Sequence, residues 1–160
     1  MTKRELEVTD INEIAEILDR AKVLHLGLVD EGRPYIVTMN YGYEIDNGKP
    51  VLYLHSAEKA YKINVIMQNP DCCFRLECDV EAFEGPKPCM NGMSYRYIAG
   101  RGKAILIEGH EDREKAMNVL MKTQSGQEYE FSEKMLSALH MIRIDVDEFI
   151  AGKRPLPKDR

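Results

Sequence analysis

The chain has 160 residues, of which 44% are hydrophobic and 31% are charged, and its formal net charge is −5. This composition predicts a single globular domain over residues 1–160. The negative charge and the lack of a basic stripe argue against nucleic-acid binding. No apolar run approaches the roughly 20 residues of a membrane-spanning helix. The start of the sequence lacks the apolar segment of a signal peptide, so the four cysteines predict a reduced, cytoplasmic protein.

The N-terminal segment, residues 1–21, is predicted to end in an amphipathic helix over 9–21. Its apolar residues recur at helical spacing, at Ile11, Ile14, Ala15 and Leu18. Asp10 is placed to cap this helix, and Glu13 three residues later resembles a capping box. Residues 22–30 alternate as a strand does. His25 lies between leucines with no second ligand two or four residues away, and is interpreted as a packed or surface histidine.

Residues 33–62 are predicted to form a β-hairpin that leads into a helix. A first strand covers 33–44, Asn47-Gly48 supplies a type I′ turn, and a second strand covers 51–56. A helix then begins near Glu58 and runs to Asn69, where Pro70 ends it. Its inward residues are predicted to be Ala60, Ile63, Ile66 and Met67. This arrangement brings His55, Ser56 and Lys62 to a helix N-terminus, where an anion is favoured. Our hypothesis is that the phosphate of a flavin nucleotide binds there.

Thr38, Asn40 and Gly42 share one face of the predicted 33–44 strand. They are small or polar, which is unusual for a buried sheet face. One interpretation is that a flat ligand lies close to the backbone at this face. The other is that the face is simply solvated, and the residues alone do not decide between them.

The second half of the chain alternates strands and helices. A strand over 71–80 buries Cys72 and Cys78 with its apolar residues, and because no C-x-x-C pair occurs, no metal site is predicted. A loop follows over 84–92. The strand over 93–109 contains Gly100 and Gly102, which indicate a bend rather than a phosphate loop. A helix over 111–122, a short helix capped by Ser132, a last strand over 139–146 and an irregular tail over 150–160 complete the prediction.

The predicted fold class is mainly β with flanking helices (α+β). Six antiparallel strands with short connections predict a small barrel with helices at its ends.

Four segments, in order and at consistent spacing, carry a family resemblance: HLGLVDEGRPYIVTMNYGYE at 25–44, LYLHSA with Lys62 at 52–62, YRYIAGRGKA at 95–104 and IRIDVDEFIAGK at 142–153. The chain resembles the FMN-binding split-barrel proteins related to pyridoxamine 5′-phosphate oxidase. Within them it looks most like the branch that includes the nitroimidazole-resistance proteins. The resemblance implies a homodimer with FMN at the subunit interface, and FAD is the alternative cofactor.

The resemblance also implies a set of cofactor-binding residues: Thr38, Met39, Asn40, Tyr41, His55, Ser56, Ala57, Lys62, Arg96 and Tyr97. It places the flavin ring against the 38–41 strand and its phosphate near Ser56 and Lys62. Arg96 and Tyr97 would come from the partner subunit. The chain departs from the branch at Thr38, where proline is common, and at Ala60-Tyr61, where Gly-Lys is common. It also lacks the C-terminal pattern of true pyridoxamine phosphate oxidases, which argues against vitamin B6 oxidation.

The implied function is an FMN-dependent oxidoreductase that reduces a small electron-poor molecule, such as a nitroaromatic or nitroimidazole. His55 is the candidate catalytic proton donor, and Arg96 would stabilise negative charge on the flavin. One alternative is a flavin-binding protein without turnover, acting as a store or sensor. Another is the same barrel with haem or a deazaflavin. No nucleic-acid or membrane partner is expected.

Overall fold

A computed structural model of the protein describes residues 5–157. The strands cover Leu6–Glu7 (β1), Val23–Asp30 (β2), Arg33–Asn40 (β3), Gly42–Asp46 (β4), Lys49–Ala57 (β5), Asp71–Phe83 (β6), Gly92–Ile107 (β7) and Leu139–Arg154 (β8). The helices cover Ile11–Arg20 (α1), Tyr61–Gln68 (α2), His110–Ser125 (α3) and Glu133–Ser137 (α4), and a 3-10 turn covers Pro88–Met90. In this part of the chain, no helix is both long enough and apolar enough to span a membrane.

The strands form one antiparallel sheet in the order β3-β2-β6-β7-β8-β5-β4, with β1 added beside β8. β3 and β4 stand at opposite edges of this order although only Tyr41 separates them along the chain. Because one residue joins the two edges, the sheet must curl on itself, as in a barrel. The predicted class, an antiparallel barrel with flanking helices, is therefore confirmed.

The predicted number of six strands is wrong, since residues 5–157 contain eight. One reason is that the strand predicted over 33–44 is interrupted at Tyr41. The Tyr41 side chain is fully buried, and its hydroxyl donates to the carbonyl oxygens of Leu18 (2.7 Å) and Ala21 (2.9 Å). Its own carbonyl oxygen accepts from Gln124 Nε2 at 2.7 Å. Tyr41 therefore bonds to two helices where a strand residue would bond to a neighbouring strand.

The other reason is β1 at Leu6–Glu7, which the sequence did not predict as a strand and which pairs with an extended β8. β8 continues to Arg154, where the sequence predicted an irregular tail from residue 150. The added residues pair with β7 on one side, and Leu6 of β1 faces Lys153 on the other. The prediction is thus wrong for 150–154, because this segment finds strand partners on both sides. Residues 158–160 lie outside the described part of the chain.

The N-terminal helix begins as predicted, but its capping box does not form. Asp10 accepts hydrogen bonds from the backbone N–H groups of Asn12 (2.7 Å) and Glu13 (3.2 Å). The Glu13 carboxylate does not complete a capping box and instead binds Lys153 Nζ at 2.7 Å, which ties α1 to β8. Helical spacing also overestimated burial at two positions, because Ile11 and Met67 are 41% and 70% exposed.

The barrel core is built from the inward face of each strand. Its fully buried members include Leu24, Leu26, Leu52, Leu54, Leu76, Ile98, Ile142 and Ile144. A smaller second core between α3, α4 and β8 contains Ala116, Met117, Leu136 and Met141. The bend predicted at Gly102 is confirmed: the register of β7 against β8 shifts there, and a Cβ on Gly102 would lie 2.1 Å from the Asp145 carbonyl oxygen.

Gly42 marks a close approach, but α3 rather than a ligand makes it. A Cβ on Gly42 would lie 2.3 Å from Leu120 Cα, a backbone atom of α3. The interpretation that Gly42 leaves room for a flat ligand is therefore wrong. The glycine is needed because α3 packs directly on the start of β4.

Candidate functional site

The residues predicted for the site lie on three elements: the end of β5, the start of α2 and the strand β3. Ser56 is the next-to-last residue of β5 and is only 4% exposed. Lys62 lies in the first turn of α2 and donates from Nζ to Ser56 Oγ at 3.3 Å. The predicted meeting of Ser56 and Lys62 is thus present, and the exposed Ala57 follows Ser56 as the last residue of β5.

The Lys62 ammonium has no carboxylate partner within residues 5–157. The N-terminus of α2 is also uncapped: Ala60 provides no side-chain hydrogen bond, and the first turn contains no acidic residue. By contrast, Asp10 and Ser132 cap α1 and α4. An unpaired ammonium beside free helix N–H groups favours an anion.

His55 directly precedes Ser56 on β5, so its side chain is on the opposite face of the strand, and it is half-buried. Its Nδ1 is buried and has no hydrogen-bond partner among the described residues. Burial, and secondarily the Lys62 charge, lower the pKa of His55 below the usual 6.5. His55 is therefore neutral at pH 7, which suits it to hydrogen bonding more than to acting as a cationic acid. Its contribution to stability is fully present above pH 6.5 and is lost as pH falls through the lowered pKa.

Phosphate bound beside Lys62 is expected to raise the pKa of His55, because the added negative charge offsets the ammonium. An NMR titration of the His55 ring, with and without inorganic phosphate at constant ionic strength, measures this shift. The Lys62→Met variant is the control, in which the pKa of His55 starts higher and does not respond to phosphate. An unchanged pKa of His55 in the native chain would place the anion elsewhere.

β3 and the residue after it, Tyr41, present the predicted ring-binding residues on two different faces. Thr38 is exposed and Asn40 is partly exposed, so both side chains can reach a ligand. Met39 and Tyr41 are 7% and 0% exposed and point into the core. Only their backbone could face a ligand, and their side chains serve the fold.

Arg96 and Tyr97 do not join the site within one chain. Arg96 donates to Asp79 (2.6 Å) and Glu16 (2.8 Å), which link β7 to β6 and α1. Tyr97 is 3% exposed and its ring lies beneath the Arg75 guanidinium, 4.3 Å from it. Both lie beside the C-terminal end of β8, whereas Ser56 pairs with His140 near its start. At about 3.3 Å per residue, roughly 40 Å of strand separates these positions. A role for Arg96 and Tyr97 at the flavin therefore stays a prediction that requires a second chain.

The sequence did not predict two sets of contacts near these residues. Tyr61, directly before Lys62, donates from its hydroxyl to Asp30 Oδ2 at 2.9 Å. On the outer face of the sheet, His25 Nδ1 lies 3.1 Å from Thr38 Oγ1, and His25 Nε2 lies 3.5 Å from Glu77 Oε1. His25 is thus a surface histidine, as interpreted from the sequence. The sequence does show that an aromatic residue, Tyr61, directly precedes Lys62, and this was the available signal.

Comparison with known proteins identifies the family. The family model for pyridoxamine 5′-phosphate oxidase matches residues 10–153, which is most of the chain. The chain belongs to the pyridoxamine 5′-phosphate oxidase family. Curated proteins provide no match. Among solved structures, a candidate 5-nitroimidazole antibiotic resistance protein from Bacteroides thetaiotaomicron is 26% identical, with a TM-score of 0.79 over 93% of this chain and 87% of that chain. The predicted resemblance to this branch of the family is therefore confirmed.

More distant members of this fold are similar in structure alone. A flavocytochrome from Azotobacter vinelandii is 16% identical, with a TM-score of 0.78 over 95% of this chain and 71% of that chain. An FAD- and haem-binding protein from Mycobacterium smegmatis is 14% identical, with a TM-score of 0.78 over 93% of this chain and 72% of that chain. At these identities the likeness shows that the chain adopts the same fold.

Proposed function

We propose that this member of the pyridoxamine 5′-phosphate oxidase family binds FMN, with the flavin phosphate at Ser56 and Lys62. The observation that carries the proposal is the Lys62 ammonium, which lies on the Ser56 hydroxyl at an uncapped helix N-terminus. It supplies a positive charge, Ser56 supplies a hydroxyl, and α2 supplies backbone N–H groups. These are the donors that a phosphate dianion requires.

The flavin ring would extend from this phosphate along the outer face of β3, against the side chains of Thr38 and Asn40. The bonding of Thr38 to His25 fixes the hydroxyl at that face. His55, with its unpaired Nδ1, is our candidate for a hydrogen bond to the flavin or a substrate. A bound flavin would supply hydride transfer, while these residues bind and orient it.

A homodimer is part of the proposal. The outer face of β2 and β3 exposes three apolar side chains, namely Val23 (44%), Val29 (42%) and Ile36 (68%). These side chains would provide apolar area for contact with a second copy. Pairing it with a second copy would bring Arg96 and Tyr97 of the other chain within reach of the flavin, as the family resemblance implies. The flavin would then lie between the subunits.

We infer that the activity is the reduction of a small electron-poor molecule. The support is the 26% identity to the candidate 5-nitroimidazole antibiotic resistance protein, together with the FAD- and haem-binding proteins of the same fold. The four cysteines are free thiols, which fits the cytoplasmic location that the sequence predicts.

The first test is reconstitution of the purified protein with FMN, followed by removal of unbound flavin. We expect flavin absorption bands, about one FMN per chain, and a dimer by sedimentation equilibrium. Haem bands in the protein as isolated, or failure to retain FMN and FAD alike, would contradict the proposal.

A measurement of catalytic turnover distinguishes an oxidoreductase from a protein that only stores or senses flavin. Repeated oxidation of a nicotinamide donor by the FMN-loaded dimer, with a nitroaromatic acceptor, is the expected result. Flavin retention without turnover under any donor would favour the binding protein.

A further inference from the structure

Three polar side chains lie in a row across the outer face of the sheet: Thr38 on β3, His25 on β2 and Glu77 on β6, three neighbouring strands. The register places His25 directly opposite Thr38. His25 Nδ1 lies 3.1 Å from Thr38 Oγ1, and on the other side of the ring His25 Nε2 lies 3.5 Å from Glu77 Oε1. The Thr38 end of the row is the face against which we propose that the flavin ring binds.

Glu77 is restrained at the other end of the row. Arg75, two residues earlier on β6, lies opposite His25 in the register, and its Nε is 3.3 Å from Glu77 Oε2. The Arg75 guanidinium also lies 4.3 Å from the centroid of the Tyr97 ring. These contacts keep the Glu77 carboxylate beside the His25 ring.

The carboxylate determines which nitrogen of the neutral His25 ring carries the hydrogen. An ionised carboxylate only accepts hydrogen bonds, so it favours the tautomer with the hydrogen on Nε2. In that tautomer Nδ1 has a lone pair and no hydrogen. The Thr38 hydroxyl must then donate to Nδ1, and its oxygen is left with lone pairs alone. Thr38 therefore offers a ligand an acceptor and not a donor.

We propose that Glu77 and His25 position the Thr38 hydroxyl as an acceptor for the N3–H group of the flavin ring. This inference rests on the proposed function, because it takes the ring to lie against Thr38. The oxidised flavin ring carries a single N–H group, at N3, and its other polar edge atoms are acceptors that an oxygen lone pair would repel. Thr38 contacts the ligand, and His25 and Glu77 are positioning residues that act through it.

The first test is NMR of the histidine ring nitrogens in the flavin-free protein, at about pH 8.5, where histidine rings are ordinarily neutral. We expect the Nε2–H tautomer for His25 in the native chain. Glu77→Gln should give a mixture of tautomers, because an amide can donate as well as accept. An Nδ1–H tautomer of His25 in the native chain would overturn the inference.

The second test is a fluorescence titration of the flavin-free protein with FMN. Thr38→Val should weaken FMN binding by about 2- to 10-fold, the range for one net hydrogen bond, whereas Thr38→Ser keeps the hydroxyl and should stay within about twofold of the native chain. His25→Phe should also weaken FMN binding, but not in the Thr38→Val background, because His25 acts through the hydroxyl. N3-methylated FMN, which has no hydrogen to donate there, should bind the native chain and Thr38→Val equally.

His110→Phe is the matched control. His110 Nε2 lies 3.8 Å from Glu114 Oε2 on α3, and these side chains are 42% and 32% exposed, compared with 42% and 34% for His25 and Glu77. This variant should leave FMN affinity unchanged.

Two results would overturn the inference and leave FMN binding intact. One is an FMN affinity that does not respond to Thr38→Val. The other is an equal loss from His25→Phe with and without the Thr38 hydroxyl, which would show that His25 only supports the fold. Failure of the native protein to bind FMN at all would overturn the proposed function and this inference with it.

Discussion

Replacing Lys62 by alanine is expected to weaken FMN binding by about 10- to 100-fold. The ammonium is the only charge that we assign to the phosphate within one chain. It forms no ion pair with a carboxylate of residues 5–157. Hydrogen bonds to charged groups contribute about 1.5–3 kcal/mol, which corresponds to this range of affinity. The measurement is a fluorescence titration of FMN, repeated at two salt concentrations, because screening should weaken the native interaction more than that of the variant.

Riboflavin, which lacks the phosphate, is the matched ligand for this experiment. Its affinity should be the same in the native chain and in Lys62→Ala. Lys59→Ala is the matched variant, since Lys59 is an exposed lysine three residues earlier, and it should leave FMN affinity within about twofold. If Lys62→Ala weakens riboflavin as much as FMN, the variant has altered the ring site. If it weakens neither, the phosphate binds elsewhere.

Local signals explain why the sequence could predict this part of the site. Asn47 and Gly48 have φ angles of 49° and 78°, as a type I′ turn requires, and the turn fixes how β5 returns along β4. Ser56 and Lys62 are six positions apart, so the end of one strand and the start of the next helix are enough to bring them together. No contact between distant parts of the chain was needed.

Local sequence signals could not predict the surroundings of Tyr41. Its hydroxyl donates to the carbonyl oxygens of Leu18 and Ala21, about 20 residues earlier. Gln124 of α3, 83 residues later in the sequence, donates to its carbonyl oxygen. Alternation predicts which face a side chain takes, but it does not identify a partner so far away in sequence. The interruption of the strand at Tyr41 follows from these long-range bonds.

The contact between His25 and Thr38 lies between these two cases. The turn after Asp30 pairs Asp30 with Arg33, and counting back along both strands places His25 opposite Thr38. That register could have been derived from the sequence. The approach of Glu77 to His25 could not, because it depends on β6 packing beside β2 across about 50 residues.

Replacing Gly42 by alanine is expected to destabilise the protein by about 3 kcal/mol or more. The new Cβ would lie 2.3 Å from Leu120 Cα, and relief requires movement of α3, since the clashing atoms belong to its backbone. At about 2–4 °C per kcal/mol for a domain of this size, the melting temperature should fall by roughly 6–12 °C. Thermal unfolding of the flavin-free protein measures this directly.

Gly32→Ala is the control because it separates backbone strain from steric overlap. Gly32 has a φ of 79°, but a Cβ there would meet nothing within 4 Å, so this variant should cost only about 1–2 kcal/mol. The comparison also tests what Gly42 is for. If the glycine reserved space for a ligand, Gly42→Ala would lower flavin affinity while the flavin-free protein melted normally. We expect instead that the flavin-free variant already melts at a lower temperature, because the new Cβ displaces α3 from β4.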